Sequence, residues 1–200
     1  AHPATALEQG AARGVDLLFG SNRDEWRLWE YFNPLSRRLP RARLERRIQR
    51  LVGPGIDAAR LWDAYAALLR DEPGGERVSR FDVLCAIQTD RVYARSCLSV
   101  GEAQVRNHAN TYGYLFTWRS PSAALGSCHA LELPFVFGHT DIAGAARFHG
   151  AGPEARALSA QMMDAWLAFA RTGSPAHEGL PDWPRYQLAS RPFMVFDRQC

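Results

Sequence analysis

Hydrophobic positions along the chain form short apolar runs and longer runs with helical spacing. The run at residues 15–19 is almost continuously apolar and is closed by a Gly-Ser-Asn sequence. Such a run is typical of a strand buried on both faces inside a parallel sheet. An aromatic-rich run at residues 112–118 and a last run at residues 193–196 predict two further strands.

The longer runs predict helices. Over residues 56–69 apolar side chains recur at intervals of three and four, and we expect this helix to stop near Pro73-Gly74-Gly75. Residues 37–51 mix arginines with leucines and an isoleucine at near-helical spacing, which indicates a helix with a solvated basic face. Other helices are predicted at residues 78–105 and 153–172, with Pro153 and Gly173 as end signals, and a glycine-rich loop is predicted at residues 138–152.

Only three strands are visible, and long helical stretches separate them. Parallel sheets are covered by helices on both faces and usually contain more than three strands. We therefore expect an α/β fold whose remaining strands belong to sequence upstream of Ala1.

Composition narrows the class of protein. With 46% apolar and 22% charged residues, the 200 residues suffice for one globular domain with a sizeable core. The net charge is only +3, and basic and acidic residues are interleaved, so a nucleic-acid partner is not expected. No apolar run is long enough to cross a bilayer, and we expect no membrane partner. No signal peptide opens the chain, and the cytoplasm is the expected location, although the native N-terminus is not visible.

The cysteine pattern bears on metal binding. The four cysteines show neither CxxC spacing nor clustering with histidines. The sequence therefore predicts neither a zinc site nor a disulfide framework, and buried free thiols are the expected state.

A first candidate site is the sequence Asn22-Arg23-Asp24-Glu25, directly after the first predicted strand. Catalytic groups of open α/β sheets collect at the carboxyl ends of strands. A carboxylate there can accept a histidine ring N–H and hold the tautomer needed in acyl transfer. Taken alone, an acidic pair after a strand is more often a helix cap or part of an ion pair.

A second candidate site is the segment from Gly126 to Gly138, with the sequence GSCHALELPFVFG. His129 lies on a glycine-started loop ahead of an apolar stretch, where it could act as a general base. In isolation, a partly buried histidine with satisfied hydrogen bonds is the more common case.

Together the two segments resemble the type-B carboxylesterase family, which includes para-nitrobenzyl esterases and cholinesterases. The resemblance spans nearly the whole chain, and the order and spacing of its motifs are specific. It continues through residues 114–121 (YLFTWRSP), residues 163–175 (MDAWLAFARTGSP) and the tail from residues 183–186 (WPRY) to residues 194–197 (MVFD).

The resemblance implies roles for four acidic or histidine side chains. Glu25 matches the triad acid of the family and His129 its triad base. Asp24 would be a structural neighbour, and Glu132 matches an acid that the family buries in a hydrogen-bonded network near the site. At Trp26 the sequence departs from cholinesterases, which usually carry glycine there. The implied activity is ester hydrolysis on small uncharged esters, without a metal or organic cofactor.

The nucleophile of the family is missing from these residues. It lies on a strand-to-helix elbow with the sequence Gly-x-Ser-x-Gly, and no serine here has glycine two positions before and two after. The sequence His149-Gly150-Ala151-Gly152 imitates an oxyanion-hole motif, but it follows His129, and we interpret it as a loop. Residues 1–200 are therefore interpreted as the C-terminal portion of a carboxylesterase domain, few in strands and with long helical insertions, without the nucleophile-bearing N-terminal portion.

Two other interpretations remain open at this point. A cholinesterase-like adhesion protein has the same fold without catalysis, and the upstream serine position would distinguish the two. The 200 residues could also be a proteolytic remnant. We expect the isolated chain to show no more than trace esterase activity. We also expect it to associate with copies of itself or with the N-terminal part of the same protein.

Overall fold

A three-stranded parallel sheet organises the protein. The computed structural model describes residues 3–33, 35–72 and 77–200. The strands are β1 (Leu17–Asn22), β2 (Thr111–Phe116) and β3 (Phe193–Phe196), in the order β1-β2-β3 with both pairings parallel. The predicted parallel α/β arrangement is confirmed, and the last strand has the predicted bounds.

The first strand differs from its prediction in position and burial. It starts two residues later and runs through Gly20, Ser21 and Asn22, which pair with β2 instead of closing the strand. Only Phe19 and Asn22 are buried, so β1 is less covered than predicted. Within the described part of the chain, no strand pairs with its other edge.

Helices make up most of the remaining chain. They are α1 (Pro3–Glu8), α2 (Arg27–Tyr31), α3 (Arg41–Val52), α4 (Ala58–Asp71), α5 (Arg80–Thr89), α6 (Arg95–Arg106), α7 (Leu133–Val136), α8 (Ala146–His149) and α9 (Pro153–Thr172). A 3₁₀ turn covers Ser36–Arg38, and a π-helical turn covers Asp90–Ala94.

Helix boundaries follow local capping chemistry. The Asp57 carboxylate accepts the backbone N–H groups of Ala59 and Arg60, so α4 begins after Asp57, and Ile56 lies outside the helix. The predicted stop at Pro73-Gly74-Gly75 lies outside the described residues. For α9 both predicted ends are confirmed: Pro153 is its first residue, and Gly173 ends it with a left-handed φ of 75°.

The other predictions were met in part. The predicted helix at residues 78–105 is α5, the π-helical turn and α6 in direct succession. The basic segment forms α3 only from Arg41 onwards, with Leu44 and Ile48 fully buried as its apolar face requires. The predicted loop at residues 138–152 contains α8, so that prediction is wrong for Ala146–His149.

Two hydrophobic clusters form the core. The helical cluster joins α3, α4 and α5 and consists of Leu44, Ile48, Ala58, Trp62, Ala66, Val83, Leu84 and Ile87. The sheet cluster joins the strands to α7 and α9 and consists of Tyr112, Phe116, Trp118, Leu125, Cys128, Leu131, Phe135, Ala155, Leu158, Met162, Ala165, Trp183, Met194 and Phe196.

Helices cover both faces of the sheet. On one face, Trp166 of α9 packs edge-on against Tyr114, with ring centroids 5.1 Å apart. On the other face, α6 approaches so closely that a Cβ at Gly101 would lie 2.3 Å from the Phe19 ring, which makes glycine necessary there. No helix of the described residues is both long and apolar enough to cross a bilayer.

Candidate active site

The candidate site lies at the carboxyl ends of β1 and β2. Glu25 follows β1 by three residues, and His129 lies on the loop between β2 and α7. Because β1 and β2 are parallel neighbours, both loops emerge at the same edge of the sheet. The prediction that both residues lie on loops at this edge is confirmed.

Glu25 and His129 are in direct contact. The Glu25 Oε2 lies 2.7 Å from the His129 Nδ1, although the residues are 104 positions apart. The backbone N–H of His129 also donates to the Glu25 carbonyl at 3.3 Å. The predicted hydrogen-bond contact between the two side chains is therefore confirmed.

Glu25 is held from two sides. Its Oε1 accepts the backbone N–H of Asn22 at 2.8 Å while Oε2 contacts His129. The residue is only 6% exposed. Burial raises the pKa of the Glu25 carboxyl, against the opposing effects of the Asn22 N–H and of His129. The carboxylate is thus fixed in orientation and poorly solvated.

Asn22, the last residue of β1, connects the two loops. Its side-chain amide donates to the Cys128 carbonyl at 2.8 Å and to the Glu132 carboxylate. Glu132, predicted as a supporting acid, thus lies in a hydrogen-bonded network with the backbone beside His129. Asn22 was part of the first candidate segment, but no role of its own was predicted for it, although its position beside the acidic pair was a usable signal.

Asp24 holds the loop of Glu25 to the loop of His129. Its Oδ2 accepts the backbone N–H of Ser127 at 2.9 Å, and its own N–H donates to the Ser127 carbonyl at 2.9 Å. Its Oδ1 accepts from Arg27. Gly126 has a φ of 56°, and a Cβ there would lie 2.4 Å from the Asp24 Oδ2. Glycine before Ser127 is therefore required for this contact.

Two aromatic rings lie beside His129. The centroid of the Tyr93 ring is 5.1 Å from that of the imidazole, and the centroid of Trp29 is 5.6 Å from it. The Trp29 Nε1 donates to the Tyr93 hydroxyl at 2.9 Å. Neither residue was predicted from the sequence, because nothing in the spacing shows that α2 and the π-helical turn reach the loop after β2.

Comparison with known proteins identifies the family. The model of the carboxylesterase family matches residues 1–200. The chain belongs to the carboxylesterase family. It is 31% identical over 200 residues to the para-nitrobenzyl esterase of Bacillus subtilis (strain 168), covering 98% of this chain and 37% of that protein. It is 27% identical over 188 residues to the phenmedipham hydrolase of Pseudarthrobacter oxydans, covering 92% and 36%.

Solved structures agree with this membership. The carboxylesterase EST55 of Geobacillus stearothermophilus at pH 6.2 superposes with a TM-score of 0.82 and 35% identity, covering 99% of this chain and 40% of that chain. The three strands and their helices are therefore part of an α/β-hydrolase fold. This carboxylesterase chain spans less than half the length of the relatives it matches.

Trp26, where the sequence departs from the cholinesterase pattern, is accommodated by a neighbouring helix. Its indole Nε1 donates to the Glu30 Oε1 at 3.0 Å, and its backbone N–H donates to the Thr89 hydroxyl at 3.0 Å. Arg47 pairs with the same Glu30 oxygen. The indole of Trp26 is thus anchored to α2, and its backbone is anchored to α5.

Ser127 and His149 are buried side chains that could carry chemistry, and of the two only the Ser127 hydroxyl has a hydrogen-bond partner among the described residues. The Ser127 hydroxyl, two residues before His129, is buried and donates to the Phe116 carbonyl at 2.8 Å. His149, interpreted from the sequence as part of a loop, is the last residue of α8 and is fully buried beside Phe135. Among the residues that the structure describes, no cluster of three or more His, Cys, Asp or Glu side chains could hold a metal ion.

Proposed function

We propose that this chain supplies the acid, Glu25, and the histidine, His129, of the catalytic triad of a serine carboxylesterase. The serine would come from an upstream portion of the same protein, and the two together are called the complete enzyme below. The observation that carries the proposal is the 2.7 Å contact between the Glu25 Oε2 and the His129 Nδ1.

The contact suits the work of a triad because it fixes the histidine tautomer. With Nδ1–H donating to Glu25, the other ring nitrogen, Nε2, is the one that can accept a proton. The His129 side chain is 39% exposed, while that of Glu25 is only 7% exposed. The base is thus accessible to a partner group, and the acid behind it is screened from water.

The reaction follows from these roles. The serine oxygen attacks the acyl carbon of the ester while Nε2 of His129 takes the serine proton. The tetrahedral intermediate then expels the alcohol oxygen, which receives that proton from Nε2. Water attacks the acyl-enzyme in the same way, and its proton passes through His129 to the serine oxygen. Glu25 stays ionised and stabilises the transient imidazolium.

Asp24 and Glu132 have supporting roles in this proposal. Asp24 fixes the separation of the two loops through Ser127. Glu132 accepts a hydrogen bond from the side-chain amide of Asn22 and so orients this residue. The backbone N–H of Asn22 in turn donates to the Glu25 carboxylate. A small uncharged ester is the proposed substrate, and no metal or organic cofactor takes part.

An exposed apolar groove beside the site supports an upstream partner. It is lined by residues of β2, α7 and α9 together with Glu132, and Leu133, Phe137 and Leu167 expose 46%, 63% and 49% of their surface. Contiguous exposed apolar surface is a feature of protein interfaces and of ligand-binding grooves. We propose that the upstream portion of the enzyme covers this groove and pairs with the open edge of β1.

A complementation assay tests the proposal. The 200-residue chain, the upstream portion and the complete enzyme are assayed with a para-nitrophenyl ester, with His129→Ala and, as a control, His108→Asn. His108 is exposed and has a φ of 58°, which asparagine tolerates. We expect turnover only when both parts are present, and a loss of about 10³-fold or more in His129→Ala alone.

Two results would reject the proposal. If the chain alone hydrolysed the ester and His129→Ala abolished that activity, a serine within these residues would be the nucleophile. Full activity of His129→Ala in the complete enzyme would equally contradict the assigned base. The Glu25–His129 contact favours an esterase over a partner-binding protein without catalysis, because binding alone does not need an oriented imidazole.

A further inference from the structure

The π-helical turn Asp90–Ala94 places one aromatic residue beside the site. Here the backbone N–H of Arg95 bonds to the carbonyl of Asp90, five residues earlier, where an α-helix would bond four residues earlier. Each residue of an α-helix advances the facing direction by about 100°. The extra residue therefore sets which side chains of this segment face the carboxyl ends of β1 and β2.

This turn is anchored to α4. The Tyr65 hydroxyl of α4 donates to the Asp90 Oδ2 at 2.6 Å. Turns of this type are rare, and many occur at functional sites. Here the turn carries Tyr93, whose ring lies against the imidazole of His129.

Tyr93 and Trp29 are tied to each other as well as packed on His129. Their rings are tilted by 43° and 35° to the imidazole plane, at centroid distances of 5.1 Å and 5.6 Å. The Trp29 Nε1 donates to the Tyr93 hydroxyl at 2.9 Å. Three separate segments, namely α2, the π-helical turn and the loop after β2, thus meet at one histidine ring.

We propose that Tyr93 and Trp29, joined by their hydrogen bond, form an aromatic clamp that positions His129 for proton transfer. The proposal rests on the proposed function of His129 as the triad base. It makes both residues positioning residues, since they act through the imidazole and not on the substrate.

The hydrogen bond to Glu25 does not by itself fix the orientation of the His129 ring. A single hydrogen bond at Nδ1 fixes one atom of the imidazole, while the rest of a partly exposed ring can still tilt about that contact. Rings packed beside it restrict that tilt. Aromatic faces within about 6 Å also attract a cation, so the clamp stabilises the imidazolium that forms when Nε2 takes a proton.

A neighbouring aromatic pair offers a matched control for the clamp. Tyr31 of α2, two residues after Trp29, packs against Phe32 at 5.4 Å and lies under the Arg37 guanidinium, away from His129. Tyr31 is 44% exposed and Trp29 is 46% exposed. Tyr31→Ala therefore removes a similar ring from the same helix without touching the clamp, and serves as the matched control.

The test measures kcat and KM separately in the complete enzyme with a para-nitrophenyl ester. We expect Tyr93→Ala to lower kcat about tenfold, as the loss of a cation–π contact of roughly 1–2 kcal/mol implies, with KM changed less than about twofold. Tyr93→Phe keeps the ring and should lower kcat only about two- to threefold. Tyr31→Ala should match the parent enzyme.

The hydrogen bond between the rings is tested by a second set of variants. Trp29→Phe and Tyr93→Phe each remove the same bond while keeping a ring. We expect each to lower kcat about two- to threefold, and the double variant to be no worse than either single one, since one shared interaction is lost. This set also covers the case in which Tyr93→Ala fails to fold.

Three results would overturn the clamp. One is an unchanged kcat in Tyr93→Ala, one is an effect confined to KM, and one is additive losses in the phenylalanine variants. The proposed function is judged separately by His129→Ala. If His129→Ala is inactive while Tyr93→Ala is fully active, only the clamp fails, whereas an active His129→Ala removes the proposed function itself.

Discussion

The helical cluster and the sheet cluster differ in how completely this chain covers them. The helical cluster is enclosed by α3, α4 and α5, and Leu44, Ile48 and Leu84 are fully buried in it. The sheet cluster contains equally buried side chains, yet it is bordered by the apolar groove and by an edge of β1 with which no strand of the described residues pairs.

The two clusters therefore have different roles: the helical cluster contributes to stability, and the sheet cluster lies beside the candidate site. The helical part completes its own core with local contacts, and the capping of α4 and α5 comes from residues directly before each helix. The sheet part carries Glu25 and His129 and leaves its surface open beside them. Under the proposed function, further protein surface completes the site-bearing part, while the helical cluster is enclosed by helices of this chain.

Core truncation gives the largest expected effects. Leu44→Ala should destabilise the protein by about 3 kcal/mol through lost burial and a cavity, by the same amount with and without the upstream portion. Trp166→Ala, beside the groove, should cost at least 1 kcal/mol more when the upstream portion is present, a difference above the roughly 0.5 kcal/mol error of additivity. Urea unfolding of both forms measures this difference, and equal costs for Trp166→Ala would contradict the covered groove.

The next largest loss of stability should follow removal of the contact between Asp24 and Ser127. Asp24→Ala removes the acceptor of the Ser127 N–H and leaves Arg27 with one carboxylate partner, Asp82. We expect a cost of about 2 kcal/mol, as for a hydrogen bond to a charged group. The matched change in the helical part, Asp57→Ala at the α4 cap, should cost about 1 kcal/mol. Unfolding and kcat together separate them, since only Asp24→Ala should also lower kcat.

The two parts should respond to pH with opposite signs. Burial raises the pKa of Glu25 above its ordinary value of 4.5. The native state then binds the proton more tightly than the unfolded state, so the contribution of Glu25 to stability falls as pH rises from 4.5 through that raised pKa. Glu25→Gln should remove this loss, and the free energy of unfolding at several pH values measures it.

Asp82, at the start of α5, titrates in the other direction. Burial opposes its charge, but hydrogen bonds from Ser79 and the Arg27 guanidinium outweigh burial and lower its pKa below the ordinary value of 3.8. Its contribution is present above pH 3.8 and is lost as pH falls through the lowered pKa. Asp82→Asn should flatten the acid side of the stability curve, and an unchanged acid side would count against the ion pair with Arg27.

Two surface substitutions should have the smallest effects on stability, but only one of them should weaken association with the upstream portion. Leu167→Asp in the groove and Leu68→Asp on α4 replace leucines that are 49% and 63% exposed. Both should change stability of the isolated chain by less than about 0.5 kcal/mol, the usual range for surface substitutions. Light scattering with the upstream portion should show weaker association for Leu167→Asp only. An equal response of both variants would argue against the groove as the interface.

The helices and strands whose ends are set by local chemistry could be predicted from the sequence. The bounds of α9 followed from Pro153 and Gly173, and the last strand followed from four consecutive apolar residues. The extension of β1 through Gly20, Ser21 and Asn22 was missed, because pairing with β2 outweighs the turn propensity of these residues.

The site was accessible from sequence only where a motif marks it. Glu25 and His129 were identified through their segments, and the structure places them in contact. Tyr93 and Trp29 were not identified, because their approach to His129 depends on a π-helical turn and on the packing of α2. Tertiary contacts of this kind leave no periodic signal in the sequence.

The most direct test of the central claim is a double-mutant cycle on Glu25 and His129 in the complete enzyme. Glu25→Gln, His129→Ala and the double variant are compared by kcat/KM on a para-nitrophenyl ester. Groups that act as one unit are strongly non-additive. We predict that each single change lowers kcat/KM by about 10³-fold or more, and that the double variant is no less active than His129→Ala alone. Losses that multiply, or a His129→Ala variant with ordinary activity, would contradict the account.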